Sequence, residues 1–304
     1  MKVVSRPYNI DEDFTAVITF LYETFKKTNS YQNWFPDRFE NNHDEYANDI
    51  RIWEEIEELI TPTDKKIVAV ANPETSNVYY IQIDPSYSFI EREIVNWIEK
   101  QFSEKKKDSS KKEKLRIRTI EGSSARKLLL SELGYQREGE IGCYIRIRSK
   151  DSPIPDIKYP EGFEIRNVKG KSDYDQLARL IQLIFGHGDW FTAKILEQIS
   201  HCSFYKQDLD LVAVAPDGTF VSFCTFRMDP FSKITQLEPM ATHPNFRKLG
   251  LAKLLIYEGL RRAMKYDPAF FYIGGAANTP AANRLYDSVG FTEKLAEETW
   301  YKEI

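Results

Sequence analysis

Glu238-Pro239-Met240-Ala241-Thr242-His243-Pro244-Asn245-Phe246-Arg247-Lys248-Leu249-Gly250-Leu251-Ala252 reads as a strand end, a tight basic turn with one glycine, and a helix start. The turn has the pattern R-x-x-G-x-A. A turn of small residues at a helix start leaves several backbone N–H groups unpaired and pointing outward. The helix dipole adds partial positive charge at the same place. Gly250 lets a ligand approach the backbone closely, and Ala252 adds almost no bulk. Arg247 and Lys248 put full charges beside them. Together these features suit a phosphate group. The plainer alternative is an ordinary strand-to-helix turn, because short glycine motifs recur without function.

Outward from this turn, the chain repeats itself. Arg166 stands 160 residues after Arg6, Asp173 after Asp13 and Tyr174 after Phe14. Leu177, Ile181 and Phe185 follow Val17, Leu21 and Phe25 at the same offset. Each copy reads as a strand, an acidic turn and a helix with apolar residues at i, i+3, i+4 spacing. Tyr79 to Pro85 resembles Leu237 to Pro244 as a strand ending in X-Pro. Leu133-Gly134-Tyr135 matches Val289-Gly290-Phe291 at the end of an amphipathic helix. Three matches in the same order predict two copies of one fold. The polar, proline-bearing stretch Arg148 to Asp156 reads as the start of a linker.

The chain has 304 residues, 42% of them hydrophobic, and a formal charge of −4, which suits two cored domains and argues against a nucleic-acid partner. No apolar run is long enough to span a membrane, and Met1 to Pro7 lacks the apolar core of a signal peptide. Cys143, Cys202 and Cys224 are few and widely spaced, which fits a reducing cytoplasm. The four scattered histidines and the absence of CxxC or HExxH predict no metal site. The lysine-rich stretch from Lys105 to Lys114 reads as a solvated loop. A monomer or homodimer is expected.

Residues 163–304 resemble the GCN5-related N-acetyltransferase (GNAT) family. The turn at Arg247 to Ala252 carries that resemblance. So does the later helix Asn278 to Phe291, which ends in Tyr-x-x-x-Gly-Phe, and the Asp-Gly hairpin at Pro216-Asp217-Gly218 lies in the expected order between strands. The two-copy arrangement resembles tandem GNAT proteins of the mycothiol-synthase type. The resemblance implies an α/β (α+β) fold of two GNAT-like domains, each a twisted, mixed, largely antiparallel sheet flanked by helices. It assigns residues 1–148 to a degenerate domain, 149–162 to a linker and 163–304 to the catalytic domain.

The resemblance also implies acetyl-CoA as co-substrate. Arg247, Lys248, Leu249, Gly250, Leu251 and Ala252 would hold its pyrophosphate. Met240, Ala241 and Thr242 would offer backbone groups to pantetheine, and Asn278 and Asn283 would lie near the far end. Tyr286 occupies the position where the family's tyrosine protonates the CoA sulfur. A phenol is a reasonable proton source for a thiolate of similar basicity. Glu238 stands where several family members place a glutamate base. Each has a plainer alternative: a tyrosine packed on the sheet, and a solvent-facing carboxylate. His243, next to Pro244, reads as structural. The expected activity is acetyl transfer to a primary amine of a small molecule by direct attack on the thioester. A non-catalytic acyl-CoA-binding or scaffold protein, and an acyltransferase using another acyl-CoA or a hydroxyl acceptor, stand as alternatives.

Aligning Pro85 with Pro244 sets Ser88 against Arg247, Glu91 against Gly250 and Glu93 against Ala252. The later motif sets Leu130 against Tyr286. Carboxylates at a helix start repel a pyrophosphate, so the first copy reads as having lost the chemistry. On the acceptor side, Gly186 and Gly188 suggest a mobile segment, and Trp190 and Phe191 read equally as pocket wall or core. The aromatic and acidic stretch from Tyr31 to Trp53, with Trp34, Phe35, Asp37, Glu40, Asp44 and Glu45, would favour a cationic acceptor if it faced the cleft.

Overall fold

A computed structural model describes residues 2–28, 38–40, 43–56, 65–105, 112–139, 143–156, 158–186, 188–277 and 279–304. By its contacts the chain divides into two units, one of Met1–Gly142 with Leu295–Ile304 and the other of Cys143–Lys294.

The first unit contains strands β1 (Lys2–Pro7), β2 (Arg51–Ile56), β3 (Lys66–Thr75), β4 (Val78–Ile83), β5 (Lys114–Ile120) and β6 (Gln136–Arg137), and helices α1 (Ile10–Thr28), α2 (Glu91–Lys105) and α3 (Ser124–Glu132). Period-two alternation gives its sheet two apolar faces. Ile52, Val70 and Tyr80 meet Val17, Ile18 and Leu21 of α1. Trp53, Ala71, Tyr79 and Ile81 meet Ile94, Ile98 and Phe102 of α2.

The second unit contains β7 (Cys143–Arg148), β8 (Glu164–Asn167), β9 (Asp210–Val214), β10 (Phe220–Met228), β11 (Thr235–Thr242) and β12 (Phe271–Ala277), with helices α4 (Lys171–Phe185), α5 (Ala193–Ser200), α6 (Leu251–Ala263) and α7 (Pro280–Ser288). Its sheet order is β7-β12-β11-β10-β9-β8. Leu211, Cys224 and Phe226 face α6. Val212 and Phe223 face Leu177 and Ile181 of α4. Gly259 brings α6 against the sheet: a Cβ there would lie 2.2 Å from Phe226 Cε2.

The internal repeat extends to single hydrogen bonds. Arg6 Nη1 donates to Asp13 Oδ2 at 2.5 Å, and Arg166 Nη1 donates to Asp173 Oδ2 at 2.5 Å. The same carboxylates accept the N–H groups of Asn9 and Lys169. Tyr135 N donates to Leu130 O, and Phe291 N to Tyr286 O. The central parallel pairs match too, each with two residue partners among the described residues: Val78–Arg116 and Tyr79–Ile117 between β4 and β5, Thr235–Phe271 and Gln236–Tyr272 between β11 and β12.

The structure draws the division differently from the linker. β7 ends the first repeat, yet it pairs antiparallel with β12, with Ile147 opposite Tyr272. β13 (Glu293–Glu303) ends the second repeat and pairs antiparallel with β5, with Trp300 opposite Ile117. Each repeat's last strand therefore completes the sheet that the other repeat begins. A strand's alternation fits any sheet edge of matching polarity, so local sequence does not reveal which one it joins. The linker is also packed. The buried Arg148 side chain donates to the carbonyls of Val289, Ser149, Ser152 and Pro153, and Ile154 rests on the core beneath α6. Among the described residues no helix is long and apolar enough to cross a membrane.

Candidate active site

The turn before α6 is held open by its backbone. Lys248 and Gly250 both have left-handed φ, 66° and 81°. Nothing lies within 4 Å of where a Gly250 Cβ would stand. An L-residue there would be strained although space exists. Among the described residues no hydrogen bond engages the N–H groups of Lys248 to Lys253, while Leu254 N donates to Gly250 O at 3.1 Å. His243 Nδ1 accepts the Asn245 N–H at 3.2 Å and caps the short turn Pro244–Phe246.

β11 leads into this turn through a bulge. Cys224 pairs with Met240 and Phe226 with Leu237, so Glu238 and Pro239 together oppose Thr225. A bulge re-aims side chains and bends its strand. The parallel ladder with β12 ends at Gln236–Tyr272 among the described residues. Beyond it, the side of β11 from Met240 to Thr242 that faces away from β10 has no strand partner among the described residues, which leaves room for an extended ligand to lie alongside. Glu238 projects from the bulge, half-buried, and accepts from Gln236 Nε2 at 2.5 Å.

Tyr286 comes from α7 into the core beside Cys224. Its phenol is pushed up to about 12, by burial first and then by the charges of Cys224 and Glu238, against the lowering effect of Arg146. No hydrogen bond among the described residues engages its hydroxyl. Arg146 of β7, which sequence reading did not single out, anchors this helix. It donates to Asp287 Oδ1 at 2.7 Å, Asn283 Oδ1 at 2.5 Å and Phe291 O at 3.1 Å. Its guanidinium lies 5.8 Å from the Tyr286 ring centroid. Asn283 thus has a structural partner through its side-chain oxygen. Asn278 lies outside the described residues.

On the opposite face of the sheet from Tyr286's cluster, a cavity of about 170 Å³ opens beside Glu238 and Pro239. Its apolar wall includes Leu177, Ile181, Phe191, Leu196 and Phe223. Phe191 thus lines the cavity, whereas Trp190 is 63% exposed. The polar groups are Asp210, Thr225, Arg227 and Tyr205. Asp210 accepts from Thr225 Oγ1 at 2.7 Å and from the Tyr205 hydroxyl at 2.9 Å. Burial raises Asp210 to about 6 despite these bonds and the nearby Arg227 charge. Sequence reading passed over this group. The available signal was polar residues at alternate positions, Thr225 and Arg227, in a strand that is otherwise apolar except for Ser222. Of the stretch from Tyr31 to Trp53, Tyr31, Trp34, Phe35 and Asp37 lie outside the described residues, and Trp53 is fully buried in the first unit's core.

The first unit fills the corresponding place. Asp84 takes the capping position of His243, accepting from Ser86 N at 3.1 Å. The chain then runs through a 3-10 turn, Pro85–Ile90, directly into α2. Glu91, opposite Gly250 in alignment, is paired with Arg126. Arg126 also reaches the Ile81 carbonyl, at 3.1 Å, on the open edge of β4. Aligned on the glycine that ends each helix, Arg126 corresponds to Ala282. Glu93 accepts from Trp53 Nε1 at 2.9 Å. These carboxylates therefore bind inward as well as opposing an anion.

Residues 176–291 match the Acetyltransferase (GNAT) family. Mycothiol acetyltransferase of Thermomonospora curvata is 27% identical over 158 residues, covering 50% of this chain and 52% of the relative. The match thus spans about half the length of that curated relative. Among solved structures, a GCN5-related N-acetyltransferase from Sphaerobacter thermophilus aligns with a TM-score of 0.68 at 16% identity, over 99% of this chain and 95% of the other. A tandem GNAT protein from the clavulanic acid biosynthesis pathway aligns with a TM-score of 0.66 at 13% identity, over 99% of this chain and 98% of the other. Residues 176–291 thus match the GNAT acetyltransferase family, and the repeated fold of the whole chain is similar to that of tandem GNAT proteins.

Proposed function

We propose that the second unit transfers an acetyl group from acetyl-CoA to a primary amine of a small molecule by direct attack on the thioester. One observation carries the reading. The open turn at Arg247 to Ala252 adjoins the unpartnered edge of β11, and that edge starts at the bulge bearing Glu238, whose charge reaches Tyr286.

In this reading the N–H groups from Lys248 to Lys253 hold the pyrophosphate, with Arg247 and Lys248 adding charge. The backbone from Met240 to Thr242 pairs with pantetheine. Glu238 takes the proton from the acceptor's ammonium, either directly or through water. The amine nitrogen bonds to the acetyl carbonyl carbon as the carbon–sulfur bond breaks. The departing thiolate takes a proton from the Tyr286 hydroxyl, which its raised pKa keeps protonated across the neutral range, and the second proton lost by the nitrogen as the amide forms restores the phenol through water. Cys224 fits direct transfer, because burial holds its thiol well above the usual range and disfavours the nucleophilic thiolate.

The first unit is read as a partner that binds no acetyl-CoA, because Arg126 and Glu91 occupy its slot. The free, buried thiol of Cys224 fits a cytoplasmic setting. The test is a panel of primary amines assayed for CoA release with acetyl-CoA. Release with some amines and not with their alcohol counterparts supports N-acetylation. Release independent of any acceptor overturns it.

A further inference from the structure

The cavity beside Glu238 holds a charged group that acetyl transfer does not use. Arg227 is 7% exposed, yet among the described residues no hydrogen bond or ion pair engages its guanidinium, and its Nε is buried without a partner. The Phe204 ring centroid lies 5.2 Å from the guanidinium carbon. Asp210 shares the cavity and interacts with the Arg227 charge, but no hydrogen bond joins the two among the described residues: its oxygens accept from the hydroxyls of Thr225 and Tyr205. A buried guanidinium with unfilled donors is costly unless something supplies oxygen acceptors.

We infer that Arg227 receives a carboxylate of the acceptor, so that the substrate is an amino acid with an apolar side chain rather than a simple amine. This rests on the acetyl-transfer reading for the amine end. The guanidinium fork matches a carboxylate in two parallel hydrogen bonds. Arg227 pairs with Gln236, and Thr225 lies opposite the bulge that carries Glu238. Two residues along a strand is roughly 6–7 Å, a spacing that side chains of this length close around an ammonium and a carboxylate on one small molecule. The apolar wall from α4 and α5, with Leu177, Ile181, Leu196 and Ile199, takes the side chain.

The experiment compares L-phenylalanine, L-leucine and L-methionine with phenethylamine, isopentylamine and 3-(methylthio)propylamine. It measures kcat/KM for CoA release and the melting-temperature shift in the presence of CoA, on wild type, Arg227→Met and Arg227→Lys. Wild type should favour at least one amino acid over its decarboxylated partner by on the order of 100-fold. Arg227→Met should collapse that ratio to within about threefold, and Arg227→Lys should keep part of it. Equal use of acid and amine by wild type overturns the inference and leaves acetyl transfer standing. An unchanged ratio in Arg227→Met overturns it too. If no compound releases CoA, the acetyl-transfer reading falls and the melting shifts decide. Stabilisation by the amino acids alone, lost in Arg227→Met, upholds the carboxylate site, and its absence overturns that site. If Arg227→Met fails to fold, the wild-type ratio and Arg227→Lys carry the same decision.

Discussion

Arg126 lies on the open edge of β4, where its Nη1 donates to the Ile81 carbonyl at 3.1 Å while its Nε is paired with Glu91. Both side chains of the ion pair are buried. In the second unit the aligned positions are Ala282 and Gly250, which leave that edge and the following turn open. The first unit thus satisfies with its own arginine the strand edge that the proposed function leaves to acetyl-CoA in the second. Arg126→Ala should cost about 3–5 kcal/mol, because it strands a buried carboxylate. The double change Arg126→Met with Glu91→Leu should cost less, since it removes both charges together. Urea unfolding measures both. A loss below about 1 kcal/mol in the single variant would show that the pair is not structural. Calorimetry on wild type should find one acetyl-CoA per chain, and two would refute the closed slot.

Gly250 is the position where the cradle is most easily destroyed. Its φ of 81° disfavours any side chain, and its surroundings leave room for one. Gly250→Ala should cost about 1–2 kcal/mol of backbone strain and weaken acetyl-CoA binding in proportion to how far the turn shifts. Gly250→Glu adds a negative charge where the pyrophosphate would sit, and should abolish the acetyl-CoA-induced rise in melting temperature. An undiminished rise in Gly250→Glu places the cofactor elsewhere.

The turn, the repeat and Tyr286 were legible in the sequence because each is a local pattern. Gly250 marks a left-handed turn, Arg6 and Asp13 recur as Arg166 and Asp173, and Tyr286 stands five residues before Phe291 as Leu130 stands before Tyr135. The cavity's polar side was not legible, because Asp210, Thr225, Arg227 and Glu238 meet only through the pairing of β9, β10 and β11. The bulge that aims Glu238 is a property of two strands, and Glu238-Pro239 alone does not announce it. Arg146 is the plainest loss. It sits on β7, which sequence order gives to the first repeat, and its work at Asn283 and Asp287 follows from β7 pairing with β12.

Gly259 sets how closely α6, and with it the cradle, lies on the sheet. A Cβ would stand 2.2 and 2.5 Å from two carbons of the buried Phe226 ring. Gly259→Ala should destabilise the protein by about 1–3 kcal/mol through overpacking, despite alanine's better helix propensity. Phe226→Leu in the same background should recover part of the loss. A stabilised Gly259→Ala would mean that α6 can move away from β10 at no cost.

Tyr286→Phe removes a hydroxyl that has no hydrogen-bond partner among the described residues, so unfolding stability should change by less than about 1 kcal/mol. Turnover should fall by roughly 10²-fold or more while acetyl-CoA affinity holds. With the phenol pushed up to about 12, Tyr286 stays protonated through the working range. An alkaline decline in activity near pH 9 should therefore belong to another group. Unchanged turnover in Tyr286→Phe removes the acid role.

Arg166 and Asp173 tie β8 to the first turn of α4, and the pair predicts a pH signature. Burial alone would raise the Asp173 carboxyl, but hydrogen bonds from Arg166 and from the Lys169 N–H outweigh it and hold the group below the usual carboxylate range. A carboxyl depressed in the folded state contributes stability that is present above its unfolded pKa and is lost as pH falls through the folded value. Asp173→Asn should therefore cost on the order of 3 kcal/mol at pH 7. The gap from wild type should narrow below about pH 4, where the unfolded carboxyl begins to take up its proton. Asp13 is held below its ordinary range by the matching bonds to Arg6 and Asn9, so Asp13→Asn should show the same narrowing in the first unit. Urea unfolding at pH 7, 5 and 3 measures the gap directly. A gap that stays constant with pH means that the carboxylate charge is not what the arginine stabilises.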